Sequence, residues 1–344
     1  MRDQSLQPPA GRIVALDGLR GIAAIIVLML HFDDLSGASG VFGHGYMAVD
    51  FFFMLSGFVL VPQIEGPRAA PAGRLMLQRL SRLWPLMALG VLIGAATHAA
   101  AWGAPAVLPL IPLALLYLPR LDGTLMTFPL NQPQWSLQIE LAANVAHLLL
   151  LRHVRTPVLL VLSALCWVVL LKASLDTGSL QVGSNGQDWL YGFVRAGFAY
   201  SLGIALGRNR LARRDLAWWI APVLLVATLL LPAIPGVNDA LVDPLSLLAF
   251  PAVIAAGASA NVPAQVAPRL TWLGAISFPL YATHFPILEA AHVLADDLPV
   301  VVRAPVFLGA LGLCVWIAHW LARSPLARGF RLPSLRRPQA RSAG

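Results

Sequence analysis

Residues 16–32 read LDGLRGIAAIIVLMLHF, and this stretch decides which kind of fold the chain can adopt. It is apolar enough to cross a lipid bilayer, yet Arg20 stands near its start and His31 near its end. Their separation corresponds to roughly 16 Å along a helix, which is about half of the hydrocarbon thickness. The stretch therefore predicts a membrane helix that carries ionisable groups at two depths.

The composition of the whole chain agrees with this prediction. Of its 344 residues, 58% are hydrophobic and 12% are charged, whereas a typical soluble domain is about 25% charged. The formal charge of +8 would suggest nucleic-acid binding in a soluble protein. Here the arginines cluster between apolar runs, which is typical of the positive-inside bias of membrane proteins. We therefore predict an all-α polytopic protein surrounded by membrane lipid, with no nucleic-acid partner.

Apolar runs of about 17–22 residues mark ten candidate membrane spans. A further stretch, 104–119, is short and contains three prolines, which interrupt helices. We expect it to be a re-entrant or outer segment. The ten predicted spans are residues 15–33, 46–63, 83–101, 134–151, 156–173, 189–207, 216–233, 244–260, 271–293 and 300–322.

Charged residues between the spans give the expected orientation. With a cytoplasmic N-terminus, the arginine groups fall inside and the aspartates outside, and counting 104–119 as a span would reverse every later group. The arginine groups are Arg68, Arg74, Arg79 and Arg82; Arg152 and Arg155; Arg208, Arg210, Arg213 and Arg214; Arg269; and the tail from Arg323 to Arg341. We therefore expect a cytoplasmic leader (1–14), a transmembrane domain (15–323) and a basic cytoplasmic tail (324–344).

Ionisable side chains inside spans are energetically costly and are therefore candidates for function. The predicted topology separates an inner cationic group from an outer group of imidazoles and carboxylates: Arg20, Arg79 and Arg82 inside, and His31, Asp50, Glu140 and His284 outside. Arginine binds phosphate through paired hydrogen bonds, and histidine beside a carboxylate can act as a general base toward a hydroxyl. This pattern predicts a phosphorylated donor that is held inside and attacked deeper in the membrane.

Each of these residues also has an ordinary structural explanation. Arg79 and Arg82 fit a positive-inside cluster, and the Arg20 side chain is long enough to reach the lipid headgroups. His31 alone fits a hydrogen-bonded structural residue, and Trp135 fits an interfacial aromatic. Asp50 and Glu140 are harder to explain in this way, because a carboxylate inside a membrane needs a partner.

Five motifs, taken together, resemble those of the acyltransferase-3 family of bacterial integral membrane O-acyltransferases. They occur in the family's order and extend from residue 16 to residue 287. The motifs are LDGLRGIAAIIVLMLHF with Arg20 and His31, VDFFFMLSGF with Asp50, RLSRLWP with Arg79 and Arg82, QWSLQIE with Trp135, Ser136 and Glu140, and LGAISFPLYATHFPI with Gly274, Ser277, Tyr281 and His284. The sequence YATH departs from the more usual YLIH but keeps the imidazole.

The resemblance implies an acyltransferase of the class that transfers groups other than aminoacyl groups, located in the bacterial inner membrane. It would move an acyl group, usually acetyl, from cytoplasmic acyl-CoA to a hydroxyl of a sugar or other envelope acceptor. His31 matches the family's essential histidine and Arg20 its partner, while Arg79 and Arg82 match the pair thought to engage CoA. No metal is expected.

The resemblance leaves several points open. Asp50 and Glu140 match carboxylates near the reaction centre, but which of them supports His31 is undecided. We expect His31 to deprotonate the acceptor hydroxyl, with a covalent acyl-histidine as the other route. The residues expected to bind substrate or to support the site are Trp135, Ser136, Ser277, Tyr281 and His284. The acceptor's identity and the oligomeric state stay open.

A transporter or flippase for an anionic or glycan substrate is the alternative function, with Arg20, Asp50 and Glu140 as a relay. Two features oppose it. No inverted repeat is visible, and the arginine pair lies at one mouth of the predicted bundle.

Overall fold

The computed structural model describes residues 13–37, 40–67, 69–122, 126–209, 215–230 and 238–328. Most of the predicted leader and tail lies outside the described residues, as do Arg68, Arg210, Arg213 and Arg214. In the described ranges the chain is almost entirely helical, which confirms the all-α prediction. The only strands there are β1 (Leu216–Ala217) and β2 (Ala260–Asn261), a short parallel pair.

The described part of the chain contains both long and short helices. The helices are α1 (Val14–Ser36), α2 (Ala48–Ile64), α3 (Ala72–Trp102), α4 (Ala104–Val107), α5 (Leu110–Leu115), α6 (Gln134–Leu149), α7 (Thr156–Thr177), α8 (Trp189–Arg208), α9 (Ile220–Leu230), α10 (Asp239–Ser246), α11 (Phe250–Ala258), α12 (Ala267–Ala295), α13 (Val300–Arg323) and α14 (Pro325–Arg328). Short 3-10 turns occur at Gly43–Met47, Leu151–His153 and Leu247–Ala249.

Seven helical segments among the described residues are long and apolar enough to cross a membrane, so the protein is a multi-pass membrane protein. They are α1, Gly43–Ile64, α3, α7, α8, Asp239–Ala258 and Val301–Arg323. The other three predicted spans correspond to α6, α9 and α12, of which α6 has 16 residues and α9 has 11. The count of ten spans stays a prediction.

Helix α12 has 29 residues and is long enough to span a bilayer, but it is not apolar enough to be among the seven segments. Its position explains this composition. Every residue from Pro279 to Glu289 is buried, because α1, α3 and α13 pack around α12. A helix that faces protein and not lipid can carry hydrogen-bonding side chains, provided that its neighbours satisfy them.

The predicted re-entrant segment 104–119 forms two short helices, α4 and α5. Pro105 occupies the first turn of α4, and Pro109 immediately precedes α5, so the prolines separate the two helices. Val107 and Leu110 are buried in a small cluster with residues of α3. Neither helix is long enough to cross a bilayer.

Glycines allow close helix contacts in the interior, at Gly21 and Gly57 among other positions. A Cβ atom on Gly21 of α1 would lie 2.5 Å from the carbonyl oxygen of Leu273 on α12. A Cβ atom on Gly57 of α2 would lie 2.4 Å from the carbonyl oxygen of Tyr200 on α8. Any side chain at these two positions would force the helices apart.

A polar cluster ties together the ends of three helices. Glu65, just after α2, accepts hydrogen bonds of 2.8 and 2.9 Å from Arg208 at the end of α8. His147 near the end of α6 lies 2.9 Å from the same carboxylate. Burial alone would raise the pKa of Glu65, but the hydrogen bonds from Arg208 and His147 outweigh burial and lower that pKa. Glu65 therefore remains an anion that holds α2, α6 and α8 together.

Candidate active site

A cavity of about 880 Å³ lies between α1, α2, α3, α6 and α12. This size is within the usual range for small-molecule sites. Its polar lining residues are Asp17, Arg20, Ser56, Gln63, Arg79, Arg82, Ser136, Glu140, Ser277 and Tyr281. Most of the predicted site residues therefore face one cavity, although they are distant in the sequence.

Arg20 connects the first and last of the predicted motifs. Its Nε donates a 2.9 Å hydrogen bond to Ser277 Oγ, and its Nη2 donates a 2.8 Å bond to the carbonyl oxygen of Gly274. Asp17, one turn earlier on α1, lies 3.6 Å from Arg20 Nη2. The close packing of α1 on α12 makes these bonds possible and fixes the guanidinium at the cavity wall.

Arg79 and Glu140 lie together in the cavity. Arg79 Nη2 is 3.8 Å from Glu140 Oε1, and the same carboxylate oxygen accepts a 2.8 Å hydrogen bond from Ser56 Oγ. Arg79 Nη1 is buried and has no hydrogen-bond partner among the described residues. Arg82 lines the same cavity one turn later on α3. The arrangement offers a cationic donor to an anionic ligand.

The position of Glu140 corrects the predicted division into two layers. The sequence placed Glu140 in the outer group with His31, but its contacts are with Arg79 and Ser56. Helix α6 begins at Gln134, so Glu140 lies nearly two turns inside that helix, where it faces Arg79 of α3. A carboxylate therefore lies within the cationic group.

Tyr281 and Ser136 lie together at the cavity wall. Their hydroxyl groups are hydrogen-bonded to each other, and Tyr281 Oη also donates to the carbonyl oxygen of Pro133 at 3.1 Å. The Tyr281 ring packs edge-on against Phe52, with the ring centroids 5.8 Å apart. These contacts join α2, α6 and α12 at the cavity wall.

His31 and His284 form a stacked pair of imidazoles. Their ring centroids are 5.3 Å apart with an interplanar angle of 28°, and Phe285 packs edge-on against His31. Neither histidine is among the residues that line the cavity. Tyr281, one turn before His284 on α12, lines the cavity, and its ring centroid is 6.0 Å from that of His284. The pair is therefore adjacent to Tyr281 at the cavity wall.

The carboxylate closest to His31 is one that the sequence analysis did not consider. Asp34 Oδ2 lies 3.8 Å from His31 Nδ1, one turn further along α1. The three-residue spacing on one helix was the signal that could have found it. Neither Asp50 nor Glu140 makes a described contact with His31.

Asp50 pairs instead with Arg195 of α8. The Arg195 guanidinium donates bonds of 3.1 and 2.6 Å to the two carboxylate oxygens, and both side chains are buried. Arg195 also donates to the carbonyl oxygens of Val182 and Tyr46. Trp135 packs against the guanidinium, 5.5 Å from its ring centroid. Sequence reasoning missed Arg195, although an arginine inside the predicted span 189–207 was itself a signal.

The ring of His284 leaves one nitrogen without a partner. Its Nδ1 lies 2.9 Å from the carbonyl oxygen of Leu280 and 3.0 Å from that of Tyr281, whereas Nε2 has no partner among the described residues. Leaving a buried polar atom unsatisfied costs about 1–3 kcal/mol. Such an atom in a site is a candidate for contact with substrate.

Comparisons with known proteins give one family. The model of the acyltransferase-3 family, described as an acyltransferase domain, matches residues 13–319. Protein 2 in the picA locus of Rhizobium radiobacter is 31% identical over 166 residues, which cover 41% of this chain and 83% of that protein. No solved structure matches the chain.

Proposed function

The chain belongs to the acyltransferase-3 family, and on that premise we propose that it transfers an acyl group, acetyl in the simplest case, from acyl-CoA to a hydroxyl group. The acceptor would be a sugar or another molecule of the cell envelope. The protein would lie in the bacterial inner membrane with both termini in the cytoplasm. The observation that carries this proposal is a cavity lined by three arginines, one of whose wall residues, Tyr281, adjoins two stacked imidazoles.

The cavity suits the phosphates of a CoA donor. Arg79 offers a buried N–H that has no partner in the described part of the chain, and Arg82 lies one turn later on α3. Arginine is well suited to phosphate because its planar donors match the phosphate oxygens. Apolar residues of α2, including Phe52, Phe53 and Val59, line the same cavity and suit the pantetheine arm. In this proposal the thioester of the donor lies toward Tyr281.

The chemical step would occur at the stacked histidines. The acceptor oxygen attacks the thioester carbonyl carbon, the carbon–sulfur bond breaks, and the hydroxyl proton ends on the CoA sulfur. An imidazole is the side chain best suited to carry that proton near neutral pH. Arg20, Ser136 and Tyr281 would support the site from the cavity, and Asp50 would act through Arg195.

The transporter alternative fits the contacts less well. It requires Arg20, Asp50 and Glu140 to form one relay. Asp50 is paired with Arg195, Glu140 is bonded to Ser56, and Arg20 is bonded to α12. These described contacts place the three residues in separate networks.

The test uses membranes from cells that produce the wild type, His31→Ala or the control His153→Ala at matched levels. His153 is exposed and lies outside the cavity. We expect wild type and control to release thiol from acetyl-CoA and to add an acyl mass to an envelope glycan or lipid. His31→Ala should do neither. If wild type releases no thiol and leaves every mass unchanged, the proposed function is wrong and the transporter alternative gains support.

A further inference from the structure

The hydroxyl groups of Ser136 and Tyr281 make more contacts than they have hydrogens. Tyr281 Oη and Ser136 Oγ each lie 3.1 Å from the carbonyl oxygen of Pro133, and the two hydroxyl oxygens are also bonded to each other. Each hydroxyl group carries one hydrogen, and a carbonyl oxygen can only accept. Two hydrogens therefore serve three contacts, so one of them can turn to a new acceptor while the other still links the pair.

Both hydroxyl-bearing side chains face the cavity. They are among its lining residues although they are otherwise buried, with 5% of Ser136 and 8% of Tyr281 exposed. The Tyr281 ring also lies next to that of His284, which stacks on His31. The hydroxyl pair is therefore next to both the cavity that would hold the donor and the imidazoles that would act on the acceptor.

The local backbone favours negative charge at this pair. Helix α6 begins at Gln134, so Ser136 lies in its first turn, and Pro133 is its N-cap residue. The N-terminal end of a helix is the positive end of its dipole. In acyl transfer the charge that develops in the transition state is negative and falls on the carbonyl oxygen. Hydroxyl donors at this end of α6 suit that oxygen.

Building on the proposed function, we propose that Tyr281, supported by Ser136, forms the oxyanion hole of the acyl transfer. The acceptor oxygen bonds to the thioester carbonyl carbon, and the electron pair of the carbon–oxygen π bond moves onto the carbonyl oxygen. Tyr281 donates a hydrogen bond to that oxygen and keeps its proton. The electron pair then returns, the carbon–sulfur bond breaks, and the acceptor's proton ends on the CoA sulfur as in the proposed function.

The exchange of partners explains why this bond would act on the rate more than on donor binding. Without donor, the Tyr281 hydroxyl donates to the carbonyl oxygen of Pro133. With donor, it donates to the thioester oxygen, so one neutral carbonyl replaces another. Hydrogen bonds to a charged oxygen are roughly twice as strong as neutral ones, so the gain comes as charge develops. As an N-cap residue, Pro133 still accepts the first bond of α6.

Ser136 acts through Tyr281 in this scheme. Its hydrogen stays on Tyr281 Oη, and a hydroxyl group that accepts a hydrogen bond becomes a better donor. Ser136 is therefore a positioning residue, whereas Tyr281 touches the reacting atoms.

Two substitutions remove one hydroxyl group each and change little else. Tyr281→Phe keeps the ring that packs on Phe52, and Ser136→Ala removes the hydrogen that points to Tyr281. The matched control is Tyr191→Phe on α8, a half-buried tyrosine that does not line the cavity.

The first measurement is the steady-state turnover of acetyl-CoA in membranes that contain the endogenous acceptor. Removing one oxyanion donor typically lowers kcat by about 10²–10³-fold, so Tyr281→Phe should lose about that factor with little change in KM. Ser136→Ala should lose less. The double variant should be no slower than Tyr281→Phe, because Ser136 has no effect without the Tyr281 hydroxyl. The Tyr191 control should behave as wild type.

The second measurement is the infrared carbonyl stretch of acetyl-CoA, isotope-labelled at the carbonyl carbon and bound to the purified protein in detergent. A hydrogen bond to the thioester oxygen lowers this frequency. It should therefore be higher in Tyr281→Phe than in wild type, intermediate in Ser136→Ala and unchanged in the Tyr191 control. A purely structural role of the two hydroxyl groups would leave the frequency unchanged.

Other results overturn the assignment. Tyr281→Phe with kcat within about threefold of wild type, or with the wild-type carbonyl frequency, would show that Tyr281 does not bind the oxyanion. A raised KM at unchanged kcat would make it a group that only binds the donor. If Tyr281→Phe does not fold, a wild-type frequency in Ser136→Ala still rejects the scheme.

Two further outcomes have separate meanings. A double variant slower than Tyr281→Phe by the full factor of Ser136→Ala would show that Ser136 does not act through Tyr281. Failure of the wild type to bind or consume acetyl-CoA would reject the proposed function itself.

Discussion

Nη2 of Arg79 lies 3.8 Å from Glu140 Oε1, whereas Nη1 has no hydrogen-bond partner among the described residues. If Arg79 and Arg82 hold the donor's phosphates, replacing both with alanine should raise the KM for acetyl-CoA at least tenfold, since a hydrogen bond to a charged group contributes about 1.5–3 kcal/mol. The kcat at saturating donor should change less. Steady-state kinetics measure both constants.

The matched control for this experiment is Arg74→Ala. Arg74 lies on the same helix, but it is exposed and does not line the cavity. Its KM should equal that of wild type. An unchanged KM in the double variant, with kcat reduced at saturating donor, would show that these arginines do not bind the donor.

Asp50 and Arg195 form a buried ion pair, and such pairs depend on both partners. Asp50→Ala should destabilise the protein by about 3–5 kcal/mol, because it leaves a buried guanidinium without its counter-charge. Replacing both residues, Asp50→Leu with Arg195→Met, should destabilise it less than the single change does. Thermal unfolding in detergent compares the three proteins. A double variant less stable than Asp50→Ala would contradict a simple charge-pairing role.

Among the helices, the α1–α12 contact matters most for the site because it holds Arg20 against Ser277 and Gly274. Gly21→Ala places a methyl group 2.5 Å from the Leu273 carbonyl oxygen, so α1 must move. Overpacking of this kind typically costs about 1–3 kcal/mol. We expect a lower unfolding temperature and slower acyl transfer.

Gly312→Ala on α13 is the control for this change. A Cβ atom there would meet no atom within 4 Å, so no steric cost arises. Alanine is also the better helix former, by about 1 kcal/mol in a helix interior. Stability and activity should therefore be unchanged or slightly raised. Equal damage from both substitutions would mean that the α1–α12 contact is not the cause.

The sequence predicted most helices, because apolar runs and prolines act locally. Helix α1 was predicted as 15–33 and extends from Val14 to Ser36, and 104–119 divides at its prolines. The pairing of Asp50 with Arg195 was not predictable in this way. It depends on how α2 crosses α8, and hydrophobic periodicity does not specify which faces of two helices meet.

The sequence predicted which residues form the candidate site better than it predicted the contacts between them. The motifs identified Arg20, Ser277 and Tyr281, and the structure brings all three to one cavity. The burial of His284 could not be predicted, because it follows from the packing of other helices around α12. Glu140 was placed in the wrong layer because its contacts with Arg79 and Ser56 depend on how α6 packs against α3 and α2, which the sequence pattern does not specify.

For the whole molecule, the proposal requires the donor cavity to face the cytoplasm and the end of α1 to face outward. Gln63 is exposed at the cavity, and Val41 is exposed beyond the end of α1. In a variant without Cys166 and Cys314, a membrane-impermeant maleimide should label Val41→Cys in intact cells. It should label Gln63→Cys only after the cells are lysed. The reverse pattern would reject the proposed orientation.

The contacts of Tyr281 and Ser136 have a consequence for the energised membrane. A polar passage open from one face to the other would let protons flow down their electrochemical gradient and would dissipate the voltage that drives transport and ATP synthesis. The hydroxyl groups of Tyr281 and Ser136 bond to each other, and Phe52 packs against the Tyr281 ring, so these polar groups are paired within the protein. On the proposed function, in which a polar donor enters from one face, such contacts must hold for the membrane to stay electrically tight.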